Sequence, residues 1–330
     1  MVTIALIGLG QGAEPHAKSL LDLPDRVRVK AAASRTESRA RSFGDRFGLP
    51  VTTDVDGVIA DRSIDAVIVL TPPAAHLEIA ERCLLMGKHV LVEKPLELTV
   101  ARAERLVQVG REMRRKVGVV LQHRFRPASL RLRAAIEAGE LGTITAAWML
   151  VPWWRPQAYY DEPGRGTMAR DGGGVLMTQA IHTLDLFRSL VGVQAVVAAQ
   201  AVTTAVHRME TEDFASALVR LGNGAPGTIT ATTAAYPGSP ERIEIIGTRG
   251  MASLVGSSLR LSFLGGGVET MVTEGSTGGG AAIMDFPHDA HRAVLTDFLD
   301  AIEADRDPVV TGEEALASQR LIADILAAAG

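Results

Sequence analysis

The sequence predicts an α/β protein in two parts: an N-terminal doubly wound parallel sheet, then an α/β domain built on an open, mostly antiparallel sheet. Three observations carry this. Short apolar runs alternate with helix-period segments through the first third of the chain. A glycine-rich turn follows the first of these runs directly. After about Gln122 the helical crossovers give way to strand-like runs separated by Gly, Pro and Asn turns.

The strand candidates of the first part are Thr3 to Ile7, Val27 to Ala33, Val51 to Thr53, Ala66 to Leu70, His89 to Val92 and Val117 to Leu121. The helices between them are marked by their ends. Glu37 to Phe47 stops at Gly48, Ala74 to Met86 stops at Gly87, and Thr99 starts a segment reaching about Arg114. The second part opens with an amphipathic helix near Ala128 to Ala138. Strand-like runs follow at Ile144 to Val151, Ala195 to Thr204, Phe214 to Leu221, Thr228 to Ala235, Arg242 to Ile246 and Leu259 to Leu264. One helix, Gly173 to Leu190, interrupts the strands, and two more, Asp289 to Glu303 and Glu313 to Ala329, close the chain. The glycine-rich stretch from Gly265 to Gly280 reads as a mobile turn without chemistry, because no helix start follows it. This grammar predicts domains at 1–122 and 123–330.

Composition limits the function classes. The 330 residues are 47% hydrophobic and 22% charged, with no apolar run of membrane-spanning length, which excludes disorder and a membrane-embedded chain. Thirty-four basic against thirty-eight acidic residues give a net charge of −4, which supplies no footprint for nucleic acid or an anionic membrane. A small-molecule partner is expected. The single cysteine, Cys83, cannot form an internal disulfide, and no signal peptide leads the chain, so a cytoplasmic location is expected.

The turn Gly8-Leu9-Gly10-Gln11-Gly12-Ala13 lies between a strand and a helix, the context a dinucleotide fingerprint requires. Gly8 allows the tight turn, Gly10 lets the backbone approach a pyrophosphate, and Ala13 permits close helix packing. The end of the second strand, where an acidic residue holds the ribose hydroxyls of NAD, carries Ser34-Arg35-Thr36 instead. Two hydroxyls and a guanidinium suit a 2′-phosphate, and so favour NADP over NAD as cofactor. Lys94 sits at the carboxyl end of the fifth strand, the edge from which doubly wound sheets present ligands. A lysine acting there as a base needs its pKa depressed from the usual value near 10.4.

Thr71-Pro72-Pro73 with His76 follows the fourth strand, and Gly87-Lys88-His89-Val90-Leu91-Val92-Glu93-Lys94-Pro95 covers the fifth. With the fingerprint and His16, with Gly172-Gly173-Gly174-Val175-Leu176 and His182, and with the Asp297-Phe298 helix, these motifs resemble the glucose-fructose oxidoreductase, inositol dehydrogenase and rhizopine catabolism (Gfo/Idh/MocA) family over nearly the whole chain. The resemblance implies a Rossmann domain binding NADP or NAD through Gly8 to Ala13, Ser34, Arg35, Thr36, Thr71, Pro72, His76, Glu93 and Lys94. It also implies a C-terminal domain that binds substrate and forms a homodimer or homotetramer. Lys94 and His182 match the family's proton-transfer lysine and active-site histidine. The family commonly carries an aspartate four residues before that histidine; this chain has Thr178 there, and Ala180 in place of a usual glycine. A single helix would put Thr178, His182 and Asp185 on one face.

Two of the three tryptophans and two of the three tyrosines fall within Trp153-Trp154-Arg155-Pro156-Gln157-Ala158-Tyr159-Tyr160, with Trp148 upstream in a strand. Aromatic faces beside Arg155 and Arg165 suit a sugar or cyclitol ring, and packing of the loop itself explains them equally. Trp153, Tyr159 and Arg165 are the substrate candidates of this segment. His288 and His291 are rim candidates before the next helix. No metal site is expected, because no His, Cys or carboxylate pair has tight ligand spacing and Cys83 lies in an apolar helix stripe. The run from Arg111 to Lys116 reads as a solvated helix end. The resulting expectation is an NAD(P)-dependent oxidoreductase interconverting a secondary alcohol and a ketone on a sugar, nucleotide sugar or cyclitol. Three rivals remain: a dihydrodiol or hydroxy-aldehyde dehydrogenase, an NAD-dependent redox-neutral glycosidase, and a nucleotide-binding sensor without catalysis.

Overall fold

The apolar runs of the first part form strands whose central members, Val2–Ile7, Ala66–Val69 and His89–Val92, are buried almost throughout, as a parallel sheet with helices on each side demands. Val27–Ala33, by contrast, exposes Arg28 and Lys30, and Val51 is exposed. The computed structural model describes residues 1–272 and 287–330. In it β1 (Val2–Ile7), β2 (Val27–Ala33), β3 (Val51–Thr52), β4 (Ala66–Val69), β5 (His89–Val92) and β6 (Val117–Val119) form an all-parallel sheet in the order β3-β2-β1-β4-β5-β6. The crossovers are α1 (Ala13–Leu21), α2 (Glu37–Phe47), α3 (Val55–Ala60), α4 (His76–Leu85) and α5 (Val100–Glu112). Their ends fall where the sequence punctuates them. Gly48 closes α2 in the left-handed region at φ 68°, and the Thr99 hydroxyl caps α5 by accepting the Arg102 N–H at 3.3 Å. The strand order reverses between β1 and β4, so the ligand-binding crevice of this sheet opens beyond their carboxyl ends.

The chain divides after Gln122, and the segment His288–Ala317 returns to the first unit, a return that a single division at 122/123 does not contain. Its cause is the edge strand. Val119 N–H donates to the Val310 carbonyl at 3.1 Å and Thr311 bridges Gly118, so the segment covers the otherwise open side of β6. Phe298 lies against Gly118, where a Cβ would come within 2.9 Å of its ring.

The second unit comprises His123–Pro287 and Ser318–Gly330. It contains α6 (Pro127–Glu137), then β7 (Ile144–Pro152) and three short helices, α7 (Gln157–Tyr160), α8 (Met168–Asp171) and α9 (Val175–Thr178). Next come α10 (Ile181–Val191), β8 (Val193–Val202), β9 (Phe214–Leu221), β10 (Pro226–Thr232), β11 (Arg242–Gly247), β12 (Gly250–Val255), β13 (Ser258–Phe263) and β14 (Val268–Met271). The eight strands run β14-β13-β12-β11-β7-β10-β9-β8, and among the described residues β7–β10 is the one parallel pair in this sheet. One face is packed with Met149, Val151, Val219, Ile229, Ile243, Ile245 and Leu261, while Leu218 and Val255 are exposed on the other. Trp148 lies in β7 on the Leu218 side, joined to it through Thr228. The closing helices are α11 (Asp289–Glu303) and α12 (Gly312–Ala328), the latter divided between the units at Ala317.

Three expectations change. The helix expected over Gly173 to Leu190 is broken into α9 and α10 at Gln179-Ala180. β12 lies between two runs expected as strands, and β14 occupies the start of the glycine-rich stretch read as a turn; the rest of that stretch, residues 273–280, lies outside the described residues. Among the described residues no helix is long and apolar enough to cross a membrane.

Candidate functional site

At the end of β1 the backbone must turn beside the end of β4. Gly8 takes φ 102°, and a Cβ there would lie 2.6 Å from the Leu70 carbonyl carbon and the Thr71 nitrogen, so only glycine fits. Gly10 and Gly12 differ: a Cβ on either meets no atom within 4 Å, which leaves the first turn of α1 bare toward solvent. Ala13 is fully buried. The three small positions thus divide as the fingerprint requires, one for the turn, one for open approach and one for helix packing.

Beyond β2, the buried Ser34 side chain accepts the Thr36 N–H at 3.3 Å. Thr36 is the N-cap residue of α2 but makes no side-chain cap bond, and Arg35 is exposed. Thr71 and Pro72 follow β4 at the same sheet edge as Gly8 and Lys94.

His76 is enclosed between the turns after β4 and β5. Its ring is fully buried, with Nε2 2.8 Å from the Thr71 carbonyl and Nδ1 3.0 Å from that of Pro95. It ties the turn after β4 to the turn after β5. Burial pushes its pKa down, opposed by the Thr71 and Leu96 carbonyls.

Glu93 and Lys94 end β5, and the Lys94–Pro95 bond is cis. The Glu93 carboxylate accepts the Lys94 N–H through Oε2 at 2.8 Å and meets His16 Nε2 through Oε1 at 3.0 Å. Burial pushes the Glu93 carboxyl up, but the His16 hydrogen bond and the charges of His16, Lys94 and His291 outweigh it, and the net shift is downward. His291, on α11, meets the His16 ring edge to face at 5.4 Å. Lys94 is half-buried. His288 lies away from this group, bonded to Asp22 at 2.8 Å on the surface.

In the second unit, α10 carries His182, which is 8% exposed and stacked on His123 at 5.0 Å between ring centroids. Arg126 donates to His123 Nε2 at 2.6 Å and to Glu241 at 2.7 Å, so His123 carries its proton on Nδ1 while that bond holds. One turn past His182, Asp185 is fully buried in a two-bond pairing with Arg124, at 2.6 and 2.7 Å, and accepts from Ser318 at 2.7 Å. This pairing anchors α10 and thereby the His182 backbone.

Thr178, His182 and Asp185 do not share one continuous helix, because α9 ends at Thr178. At the break the Gln179 and Ala180 N–H groups both turn to the Val175 carbonyl, at 3.2 and 2.8 Å, and Glu212 caps the start of α9. Its buried carboxylate accepts the Gly174 and Leu176 N–H groups, and its carbonyl lies so close to Gly174 that no Cβ would fit. Burial raises the Glu212 pKa against those hydrogen bonds. Thr178 Oγ1 donates to the Gly174 carbonyl at 2.7 Å and also contacts Gln179.

Gln179 in turn donates to the Tyr159 hydroxyl at 3.3 Å, and Arg165 donates to the same oxygen at 2.8 Å. Arg165 also lies over the Tyr159 ring, 4.2 Å from its centroid, and pairs with Glu162. Thr178, Gln179, Tyr159 and Arg165 therefore form one connected polar group. Trp153 and Tyr160 belong to the packing instead, at 6% and 7% exposure. Tyr160 bonds Thr233 at 2.6 Å, and burial pushes its phenol well above the usual range. Arg155 is buried against the Trp153 and Tyr159 rings.

Cys83 is fully buried and its thiol is pushed up to about 12 by burial, which suits core packing. Sequence reasoning missed His123, Arg126, Gln179 and Glu212. None stands in a recognisable motif, and only the adjacency of Gln179 to Thr178 was a signal.

Residues 2–121 match the oxidoreductase family with an NAD-binding Rossmann fold, and residues 129–253 match the GFO/IDH/MocA C-terminal domain. The chain is 28% identical to inositol 2-dehydrogenase of Rhizobium meliloti over 258 residues, covering 76% of this chain and 74% of that protein. It is 27% identical to scyllo-inositol 2-dehydrogenase (NAD(+)) of Bacillus subtilis over 332 residues, 95% of this chain and 90% of the relative. Among solved structures, the WlbA dehydrogenase of Bordetella pertussis, in complex with NADH and UDP-GlcNAcA, is similar at 28% identity with a TM-score of 0.84, covering 99% of this chain and 96% of that one. The sheet order, the bare glycine turn after β1 and the Glu93-Lys94-Pro95 turn after β5 agree with these matches across both units, and the chain belongs to the Gfo/Idh/MocA family of oxidoreductases.

Proposed function

We propose that this chain interconverts a secondary alcohol and a ketone on a sugar, nucleotide sugar or cyclitol, with NADP favoured over NAD. The observation that carries the reading is the turn after β5. There Glu93 grips the Lys94 N–H at 2.8 Å and fixes Lys94 at the carboxyl edge of the sheet, on the strand next to β4. The dinucleotide fits the bare turn from Gly8 to Ala13; when bound, it accepts or supplies a hydride.

In oxidation, Lys94 Nζ takes the hydroxyl proton as the C–H bond yields its hydride and the C=O bond forms; in reduction the same proton returns to the oxygen. His182, steadied by His123 and by the Asp185–Arg124 pairing below it, hydrogen-bonds the reacting oxygen. Tyr159 and Arg165, with Gln179 and Thr178, bind ring hydroxyls. NADP rests on Ser34, Arg35 and Thr36, against a structural relative that holds NADH. The exposed Leu218 and Val255 on the open sheet face support a homodimer or homotetramer, which light scattering tests.

The test is titration with NADPH and NADH, followed by turnover on keto-sugars, inositols and nucleotide sugars. Lys94→Ala and His182→Ala each remove most of kcat, and the double variant is no worse than the more severe single one. Ordinary turnover by Lys94→Ala overturns the proton-transfer role. Thr178, which cannot titrate usefully where relatives commonly carry an acid, favours the sensor as second reading; dinucleotide binding without turnover on any ring substrate would select it.

A further inference from the structure

Three chelating side chains far apart in sequence converge inside the first unit. His16 comes from α1, Glu93 from the end of β5 and His291 from α11, and one ligand atom from each lies within 4.8 Å of the other two. The two histidines are 1% and 4% exposed, while the Glu93 side chain keeps 19% of its surface open. His16 has one ring nitrogen on Glu93 and the other, Nδ1, buried with no hydrogen-bond partner among the described residues.

Two imidazoles sharing one tetrahedral ion, with metal–nitrogen bonds of about 2.0–2.1 Å, hold their ring centroids about 5 Å apart and their donor atoms about 3.3 Å apart. The rings of His16 and His291 stand 5.4 Å apart at 88°, and His16 Nε2 is 3.0 Å from Glu93 Oε1. The frame around them is tied together. Arg292 on α11 bonds Asp22 at the end of α1, and Arg26 bonds Asp300 and Glu303 near the other end of α11. A ligand set of two imidazoles and one carboxylate suits zinc, cobalt or nickel and not magnesium or calcium, which take oxygen donors. A hydrogen bond between His16 and Glu93 needs no second imidazole; an ion uses all three groups.

We infer that His16, Glu93 and His291 form a binding site for a divalent transition-metal ion of the zinc class, its remaining position filled by water. Nothing in the proposed substrate chemistry requires such an ion, so this inference stands apart from that reading. Glu93 also holds the Lys94 N–H, so the ion adjoins the turn that carries Lys94.

The test uses the full chain, stripped with a chelator and titrated with Co(II) and Zn(II). Expected are one equivalent bound with micromolar or tighter affinity, a visible d–d band of four- or five-coordinate Co(II) that Zn(II) abolishes, and no comparable binding of Mg(II). His291→Ala and the gentler His291→Asn both weaken Co(II) by roughly ten-fold or more. His288→Ala, three residues away on a surface contact, leaves it unchanged. Circular dichroism and the melting temperature of the metal-free variants establish that they are folded. Absence of binding at submillimolar Co(II) and Zn(II), or Co(II) affinity and spectrum unaltered in folded His291→Ala and His291→Asn, overturns the assignment.

Discussion

Replacing Arg124 by Met tests whether the ion pair beneath His182 anchors α10. Asp185 is fully buried and takes its two short bonds, 2.6 and 2.7 Å, from the Arg124 guanidinium. Without Arg124 the carboxylate keeps the Ser318 hydroxyl at 2.7 Å and Arg188 at 3.9 Å, too little to offset its lost hydration. Removing one partner of a buried pair costs about 3–5 kcal/mol, far above the 0–1 kcal/mol of a surface pair. Replacing both, as Arg124→Met with Asp185→Leu, leaves no buried charge uncompensated and falls within about 1 kcal/mol of the parent or above it. All three tryptophans, at 148, 153 and 154, lie in the second unit, so their fluorescence during urea unfolding reports on the unit that contains the pair. His182 stands one turn before Asp185, so Arg124→Met also lowers kcat at temperatures where the protein remains folded. A cost below about 1 kcal/mol for Arg124→Met, or a double variant as unstable as the single one, would show that the pair does not anchor the helix.

Gly8→Ala and Gly10→Ala separate folding from cofactor approach: the first forces a Cβ to 2.6 Å from the β4 backbone at φ 102° and costs about 2–4 kcal/mol, while the second meets open space and leaves the melting temperature unchanged but weakens dinucleotide binding. Equal melting temperatures for the two variants would contradict this division. Arg35→Ala is expected to weaken NADPH by roughly ten- to a hundred-fold, the loss of a charge-assisted phosphate contact, with NADH within about two-fold; equal losses for both would remove the 2′-phosphate role. His89 supplies a pH effect. Its pKa is lowered to about 4 by burial and by the Arg115 and Lys116 charges, and its Nδ1 accepts the Lys116 N–H at 3.0 Å. The unfolded chain therefore binds the extra proton first, and stability present above about pH 6.5 is lost as pH falls toward 4, by about 1–2 kcal/mol after allowance for partial exposure. His89→Gln flattens that part of the calorimetric stability profile.

What was legible in the sequence is what local chemistry dictates. β1, β4 and β5 read clearly because strands buried on both faces are continuous apolar runs, and α2 and α5 because Gly48 and Thr99 punctuate them. The Ser34-Arg35-Thr36 departure was visible because it is a missing charge at a position the fold itself assigns. The features that escaped are set by partners distant along the chain. A helix pattern over Gly173 to Leu190 is locally sound, yet its start is capped by Glu212, a residue distant along the chain, and it is interrupted where the Gln179 and Ala180 N–H groups share the Val175 carbonyl. His76 reads as a ligand contact, and in the fold its two ring nitrogens lie on the Thr71 and Pro95 carbonyls, which makes it a strut between the turns after β4 and β5. The same reasoning applies to the His16, Glu93 and His291 group. Ligand-spacing rules detect metal sites whose donors lie on one turn or one helix, whereas here an α1 residue, a strand end and a helix that returns to cover β6 meet only after the sheet is closed. A chain segment recruited to satisfy Val119 and Gly118 carries α11, and with it His291, to the motif that holds Lys94.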